Sequence, residues 1–284
     1  MGSKLISIGC SFTCHNTYPG LTYWDVLLAD YLNLTLHNYS RSGTGGDYHM
    51  FLLSKAIADY GKDIDTIVIG WSGWDRFSYP YSSGPDYIIP PNHSKQKGHM
   101  YEGFVNLKNW NRFLLTEYCI KSTYAQMYMA TKMADAIGAK LIILQLLRPL
   151  TDVDRWSKNY DRNYKHIKGL FDIMNKEKRQ DSDKMFQAIY NSTEDYNVYH
   201  ELSKDERLVG FPFLREVGGE YVWTRDIRQY DDIIVGEDRL KEMWVSDDGA
   251  PKLVKKIQID QHPNQKGHEL IFNRFKEAYD NLYK

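Results

Sequence analysis

Short apolar runs alternate with longer segments in which apolar residues recur at helical spacing. The runs predict strands at 4–9 (KLISIG), 34–39 (LTLHNY), 65–71 (DTIVIGW) and 140–147 (KLIILQLL). The helical spacing predicts helices at 23–34, 48–60 and 111–137, the last of them ended by Gly138. Strands that alternate with helices are typical of an α/β protein whose mainly parallel sheet is covered on both faces.

The pattern is weaker after residue 148, where charged and aromatic residues are mixed without a clear period. We expect one domain over 1–284, with an insertion or lid at about 150–250 and possible helices at 163–175 and 183–190. A last short strand is predicted at 255–259. A helix at 267–283 follows, because its apolar residues again form one stripe.

Composition and charge narrow the function classes. The 284 residues are 42% hydrophobic and 26% charged, which is ordinary for a folded protein with a sizeable core. The 36 basic and 37 acidic residues give a net charge of −1, and this balance argues against nucleic acid and anionic membranes as partners. No apolar run reaches membrane-spanning length.

Cysteine usage and the N-terminal residues indicate a compartment. The odd count of three cysteines, without metal-ligand spacing, favours a reducing setting and no metal site. The N-terminus passes directly into the first strand without a signal-peptide pattern. We therefore expect a cytoplasmic protein.

Ser11 follows the first predicted strand in the segment Gly-Cys-Ser-Phe-Thr, at 9–13. Ligands bind at the carboxyl ends of the strands in open parallel sheets, so this serine is a candidate nucleophile. Two alternatives stay open from the segment alone. Ser11 could cap the following helix, or Cys10 or Cys14 could supply a thiolate instead. The thiolate is the less favoured of these, because Cys10 should point away from Ser11 and pack in the core.

A serine needs a base within hydrogen-bond reach before it can act as a nucleophile. Asp260 and His262 stand together just before the last predicted helix, in the segment DQHPNQKGH at 260–268. They supply an imidazole and a carboxylate that could hold it. His268, further along the same segment, is interpreted as a surface or helix-packing residue.

These two motifs, a Gly-x-Ser-x-Thr turn near the N-terminus and a late Asp…His-Pro-Asn-x-x-Gly-His, together resemble the SGNH/GDSL hydrolase family. The resemblance implies a flavodoxin-like three-layer α/β/α sandwich. It also implies that Ser11 attacks an acyl ester while His262 acts as its base and Asp260 orients that base. The usual spacing of the acid is Asp-x-x-His, whereas a single residue separates Asp260 from His262 here.

The resemblance also nominates an oxyanion hole. The backbone N–H of Gly43, after the second strand, corresponds to one family donor. The family's third block usually reads Gly-x-Asn-Asp, but here Ser72 stands where the asparagine is expected, and its hydroxyl is the candidate second donor. The alternative for Gly43, and for Gly45 and Gly46 beside it, is an ordinary turn that needs positive φ.

The resulting hypothesis is a serine esterase that forms an acyl-Ser11 intermediate and needs no metal or organic cofactor. A small O-acyl or acetyl ester on a carbohydrate is the preferred substrate. The resemblance to the SGNH/GDSL family implies such esters, and aromatic residues, 14% of the chain, often line sugar sites. Two alternatives remain: an O-acyltransferase on the same fold, and a catalytically weak binding or assembly protein. The sequence does not predict the oligomeric state.

Overall fold

Five parallel strands form the central sheet in the described part of the chain. In the computed structural model, residues 2–15, 20–73, 112–146, 196–213, 220, 222, 234–236 and 260–284 are described. The strands are β1 (Lys4–Gly9), β2 (Thr35–Asn38), β3 (Ile64–Trp71), β4 (Lys140–Gln145) and β5 (Leu208–Val209). They lie side by side in the order β2-β1-β3-β4-β5, and every neighbouring pair is parallel. This is the strand order of flavodoxin-like doubly wound sheets.

Helices cover both faces of this sheet, which makes the fold a three-layer α/β/α sandwich. The helices are α1 (Trp24–Leu32), α2 (Gly46–Tyr60), α3 (Arg112–Ile137), α4 (Asn197–Leu202) and α5 (Gln265–Tyr283). Helices α2 and α3 pack against each other on one side, and α1 packs against α5 on the other. The α/β class and the sandwich predicted from the sequence are confirmed.

The side chains of β1 show how the sheet separates two cores. Ile6 and Ile8 are fully buried in the core beneath α2 and α3. Leu5 is fully buried in the other core, beneath α1 and α5. Alternate residues of a strand point to opposite faces. A strand buried on both faces therefore reads as a continuous apolar run in the sequence, because it has no polar face.

Helix α5 packs against α1 and so brings two segments that are distant in the sequence together. The rings of Phe275 and Trp24 stack with centroids 4.2 Å apart and planes at 3°. The Trp24 indole N–H also donates to the carbonyl of Phe12 at 3.1 Å. A stacked aromatic pair of this kind adds about 0.5–1.5 kcal/mol beyond its buried area. The contact fixes α1, α5 and the segment after β1 relative to one another.

The predicted elements of the N-terminal half are found within a few residues of their expected bounds. Gly138 ends α3 with φ of 71°, as predicted, and this conformation costs glycine little. The predicted helices at 163–175 and 183–190 and the strand at 255–259 lie outside the described residues. Leu208–Val209 falls inside the stretch expected to be an insertion, yet it pairs with β4 as the fifth strand of the main sheet.

A second, two-stranded antiparallel sheet carries the late motif. It pairs β6 (Ile234–Gly236) with β7 (Asp260–Pro263), and β7 leads directly into α5. Within the described ranges, the helices all fall short of the length and apolar character that a bilayer crossing requires.

Candidate active site

Ser11 and His262 lie in direct contact at the carboxyl end of β1. His262 Nε2 is 2.8 Å from Ser11 Oγ, although 251 positions separate the two residues in the chain. Both side chains are partly exposed. A serine hydroxyl and an imidazole at this distance are in the arrangement that allows the ring to accept the hydroxyl proton.

The turn after β1 presents Ser11 without using it as a helix cap. The amides of Thr13 and Cys14 both donate to the Cys10 carbonyl at 3.0 Å. Helix α1 begins only at Trp24, so the alternative that Ser11 caps the next helix is wrong. Cys10 is fully buried in the core beneath α1 and α5, as its expected inward orientation required.

The late motif positions His262 through the start of α5. Asn264 is the N-cap of this helix, and its side-chain oxygen accepts the Gly267 amide at 3.1 Å. Asparagine is a favoured N-cap residue because it satisfies an amide that the helix leaves free. The His262 ring lies 5.1 Å from the Phe12 ring, measured between centroids. The cap and this ring contact hold the imidazole beside Ser11.

Asp260 is the third member of the predicted triad. Asp260 begins β7, two residues before His262 in the same strand. The Asp260 side chain lies outside the described part of the structure, and its role as the orienting acid stays a prediction.

Gly43 lies in the turn between β2 and α2, next to the turn that contains Ser11. Its φ is 78°, a conformation that favours glycine. The turn is tied to β1 because the Arg41 amide donates to the Gly9 carbonyl at 3.1 Å. Gly45 has an ordinary φ of −104° as the N-cap of α2. Gly46 is required for close packing instead, since a Cβ there would lie 2.7 Å from the Trp71 ring.

Ser72 follows β3 directly and is fully buried. Its hydroxyl donates to the Thr44 carbonyl at 2.7 Å, and its own carbonyl accepts from the Gln145 side chain at 3.1 Å. The single hydrogen of the hydroxyl is therefore already engaged. Ser72 can donate to an oxyanion only if its hydroxyl turns away from Thr44, a condition that the sequence did not indicate.

The chain is similar to several solved structures. One is the psychrotrophic esterase EstA from Pseudoalteromonas sp., with 14% identity and a TM-score of 0.42 over 98% of this chain and 97% of that one. Another is TesA, with 14% identity and a TM-score of 0.41 over 98% and 99% of the two chains.

A third is a member of the lipolytic protein G-D-S-L family from Veillonella parvula, with 12% identity and a TM-score of 0.40 over 98% and 99%. No family model matches the sequence, and no curated protein matches it. Similarity this distant assigns no function. The fold therefore follows from the strand order, and the site from the contact between Ser11 and His262.

A buried carboxylate beside the turn that contains Ser11 was not identified from the sequence. Asp25, the second residue of α1, is fully buried and accepts hydrogen bonds from His15 at 2.8 Å and from Asn38 at 2.6 Å. An acidic residue in the first turn of a helix is common for helix-dipole reasons alone. No pattern in the sequence distinguished Asp25 from such a residue.

Two further histidines lie close to this carboxylate, and their pKa values are shifted in opposite directions. The hydrogen bond to Asp25 raises the pKa of His15 above its ordinary value, and burial opposes this only partly. Burial lowers the pKa of His268 to about 4. The Tyr23 ring contacts both imidazoles, with centroid distances of 4.7 Å to His15 and 4.4 Å to His268. His268 is therefore neutral at physiological pH.

Proposed function

We propose that the protein is a serine hydrolase of the SGNH/GDSL type, which cleaves an acyl ester through a covalent acyl-Ser11 intermediate. The single observation that supports this most strongly is the 2.8 Å contact between His262 Nε2 and Ser11 Oγ at the carboxyl end of a central strand. Ligand sites of open α/β sheets lie at this edge.

In the proposed reaction, His262 Nε2 takes the proton of Ser11 as Oγ attacks the ester carbonyl carbon. The carbonyl π electrons move to oxygen and form a tetrahedral oxyanion. As the intermediate collapses, the bond to the leaving alkoxide breaks and His262 returns the proton to it. Water then attacks the acyl-Ser11 carbonyl with His262 again as base, which releases the carboxylic acid and restores the serine.

The remaining residues have supporting roles in this proposal. Asp260 would accept the Nδ1 hydrogen of His262 and so keep Nε2 free to accept a proton. The Gly43 amide and the Ser72 hydroxyl would donate to the oxyanion. Loss of one such donor typically lowers the rate on the order of 10²-fold or more. The bond that Ser72 makes to Thr44 reduces what this residue can contribute, because that bond must break first.

Within the ester class, a small O-acyl group on a carbohydrate is the proposed substrate. Support comes from the content of 22 Tyr and 7 Trp, since aromatic faces suit sugar rings. A cytoplasmic location is proposed on the basis of cysteine chemistry, and Cys10 and Cys14 are both free thiols in the structure.

The test combines a fluorophosphonate probe, which phosphonylates activated serines, with hydrolysis of p-nitrophenyl acetate. We expect wild-type protein to be labelled on the peptide that contains Ser11, and we expect Ser11→Ala and His262→Gln to lose both labelling and hydrolysis. Ser54→Ala is the matched control, because the hydroxyl of this serine donates to the Met50 carbonyl of its own helix at 2.9 Å. Labelling that persists in Ser11→Ala would contradict the proposal. Labelling without hydrolysis would instead favour an acyltransferase, to be examined with added alcohols.

A further inference from the structure

We propose that Asp25 is a positioning residue that holds the Ser11 turn in its reactive geometry. This inference rests on the proposed function, because it assigns the carboxylate a role in that same site. Asp25 acts through the two side chains, His15 and Asn38, that donate hydrogen bonds to it.

The first connection ties down the end of the turn. His15 Nε2 lies 2.8 Å from Asp25 Oδ1. A carboxylate oxygen can only accept, so Nε2 carries the hydrogen in this bond. His15 is four residues beyond Ser11, and the segment between them contains the Thr13 and Cys14 amides that bond to Cys10. The carboxylate therefore fixes the point at which the turn leaves the site.

The second connection ties the middle of the turn to the next loop. Asn38, the last residue of β2, donates from Nδ2 both to Asp25 Oδ2 at 2.6 Å and to the Thr13 carbonyl at 2.8 Å. Its Oδ1 accepts the Ser40 amide at 2.8 Å. Asp25 thus holds the amide of Asn38 in one orientation, and that amide connects the nucleophile turn with the loop that leads to Gly43.

A carboxylate suits this position for a chemical reason. Asp25 offers acceptors on both oxygens, and they receive His15, Asn38 and the Val26 amide. Hydrogen bonds to a charged acceptor are shorter and roughly twice as strong as neutral ones. Asparagine has nearly the same shape but one amide nitrogen, which would face the Asn38 donor at the position of Oδ2 or the Val26 amide at the position of Oδ1. Asp25→Asn therefore breaks at least one of these hydrogen bonds and removes the charge that strengthens the others, while it changes the volume very little.

The consequence for catalysis follows from the geometry of the nucleophile. Misplacement of a reacting group by about 1 Å can cost on the order of 10²-fold in rate. Ser11 lies between the tethered Thr13 and β1, so a loosened tether displaces the hydroxyl relative to His262. Substitution of a positioning residue therefore lowers kcat, whereas KM changes little because the contacts with the substrate are unaffected.

The experiment compares Asp25→Asn with two controls. Asp59→Asn makes the same chemical change at a carboxylate on α2 that accepts from Tyr39 and Lys55, away from the turn. Leu53→Ala removes core volume beneath α2 and lowers stability without contacting the turn. All three are assayed well below their melting temperatures, with p-nitrophenyl acetate and with the fluorophosphonate probe.

We expect Asp25→Asn to lower kcat and the labelling rate by about 10- to 100-fold with KM within threefold. We expect both controls to stay within twofold of wild type. If Asp25→Asn does not fold, His15→Ala removes one connection at a half-exposed position and should lower kcat about three- to tenfold. A folded Asp25→Asn, or a folded His15→Ala, with kcat within twofold of wild type would overturn the inference.

Hydrogen–deuterium exchange of the peptide 10–15 separates this inference from the proposed function. We expect exchange there to accelerate in Asp25→Asn, and exchange of the α2 peptides to be unchanged. If wild-type Ser11 proves unreactive while exchange still accelerates, the proposed function fails and Asp25 remains the residue that orders the turn. Unchanged exchange at 10–15 overturns the positioning role whatever the activity.

Discussion

Gly9 and Thr13 fit together so closely that any side chain on Gly9 would occupy the space of the Thr13 side chain. A Cβ built on Gly9 would lie 2.9 Å from Thr13 Cβ and would overlap the Thr13 hydroxyl. Both residues flank Ser11, and Thr13 is fully buried. The Gly-x-Ser-x-Thr spacing is therefore a packing requirement of the turn that presents Ser11.

Gly9→Ala should consequently destabilise the protein and displace Ser11. Overpacking of this kind costs about 1–3 kcal/mol of unfolding free energy, which denaturant titration would measure. The labelling rate of Ser11 should fall as well. Gly61→Ala is the control, since its Cβ meets open space and its cost comes from the positive φ alone. Equal labelling rates in the two variants would show that the Gly9–Thr13 contact does not position the nucleophile.

Ser72→Ala should lower kcat by about 10- to 100-fold, below the loss usual for a dedicated oxyanion donor. The reason is that the Ser72 hydroxyl begins in a bond to Thr44 and contributes only after it turns. Steady-state kinetics with p-nitrophenyl acetate would measure the effect. Should kcat remain within twofold of wild type, Ser72 serves only to hold the Thr44 loop.

Acid should destabilise the protein through His268. Because burial lowers its pKa to about 4, the native state favours the neutral ring, while the unfolded chain protonates near pH 6.5. The stability from this residue is full above pH 6.5 and is lost as the pH falls toward 4. Between pH 7 and 4.5 the loss is about 2 kcal/mol.

His268→Phe keeps a ring against Tyr23 and removes this titration, so its unfolding free energy should fall less over the same pH range. Parallel urea titrations at pH 7 and 4.5 would measure the difference between the two proteins. A wild-type protein that loses no more stability than the variant would contradict the assignment.

His15 should act in the opposite direction. Its pKa is raised by the hydrogen bond to Asp25, so its contribution to stability is complete below pH 6.5 and declines as the pH rises through the higher native value. His15→Gln can still donate to Asp25 but does not titrate. We expect its unfolding free energy to change less than that of wild type on the alkaline side, as measured by urea titrations from pH 6 to 9.

The sequence predicted most strongly where one local pattern determines the structure. The strands β1, β3 and β4 are continuous apolar runs because the sheet buries both of their faces, and such runs are distinctive. β5 has only two residues, too few to show a hydrophobic period, so the sequence did not predict that it belongs to the main sheet.

The same distinction applies to the residues of the candidate site. Ser11 and His262 lie in motifs that are visible in the sequence, so both could be nominated before their contact was known. Asp25 could not, because its role depends on His15 and Asn38, which arrive from two other segments. The orientation of the Ser72 hydroxyl depends on Thr44, 28 positions away, and the residues around Ser72 do not predict that bond.

The stacking of Phe275 on Trp24 has a consequence for how the proposed site is assembled. Ser11 follows β1, whereas His262 comes 251 positions later and directly precedes α5, the helix that packs on α1. A molecule in which α5 is detached from α1 would contain the hydroxyl but no imidazole beside it. In the proposed enzyme, reactivity toward esters would therefore depend on the docking of this one helix.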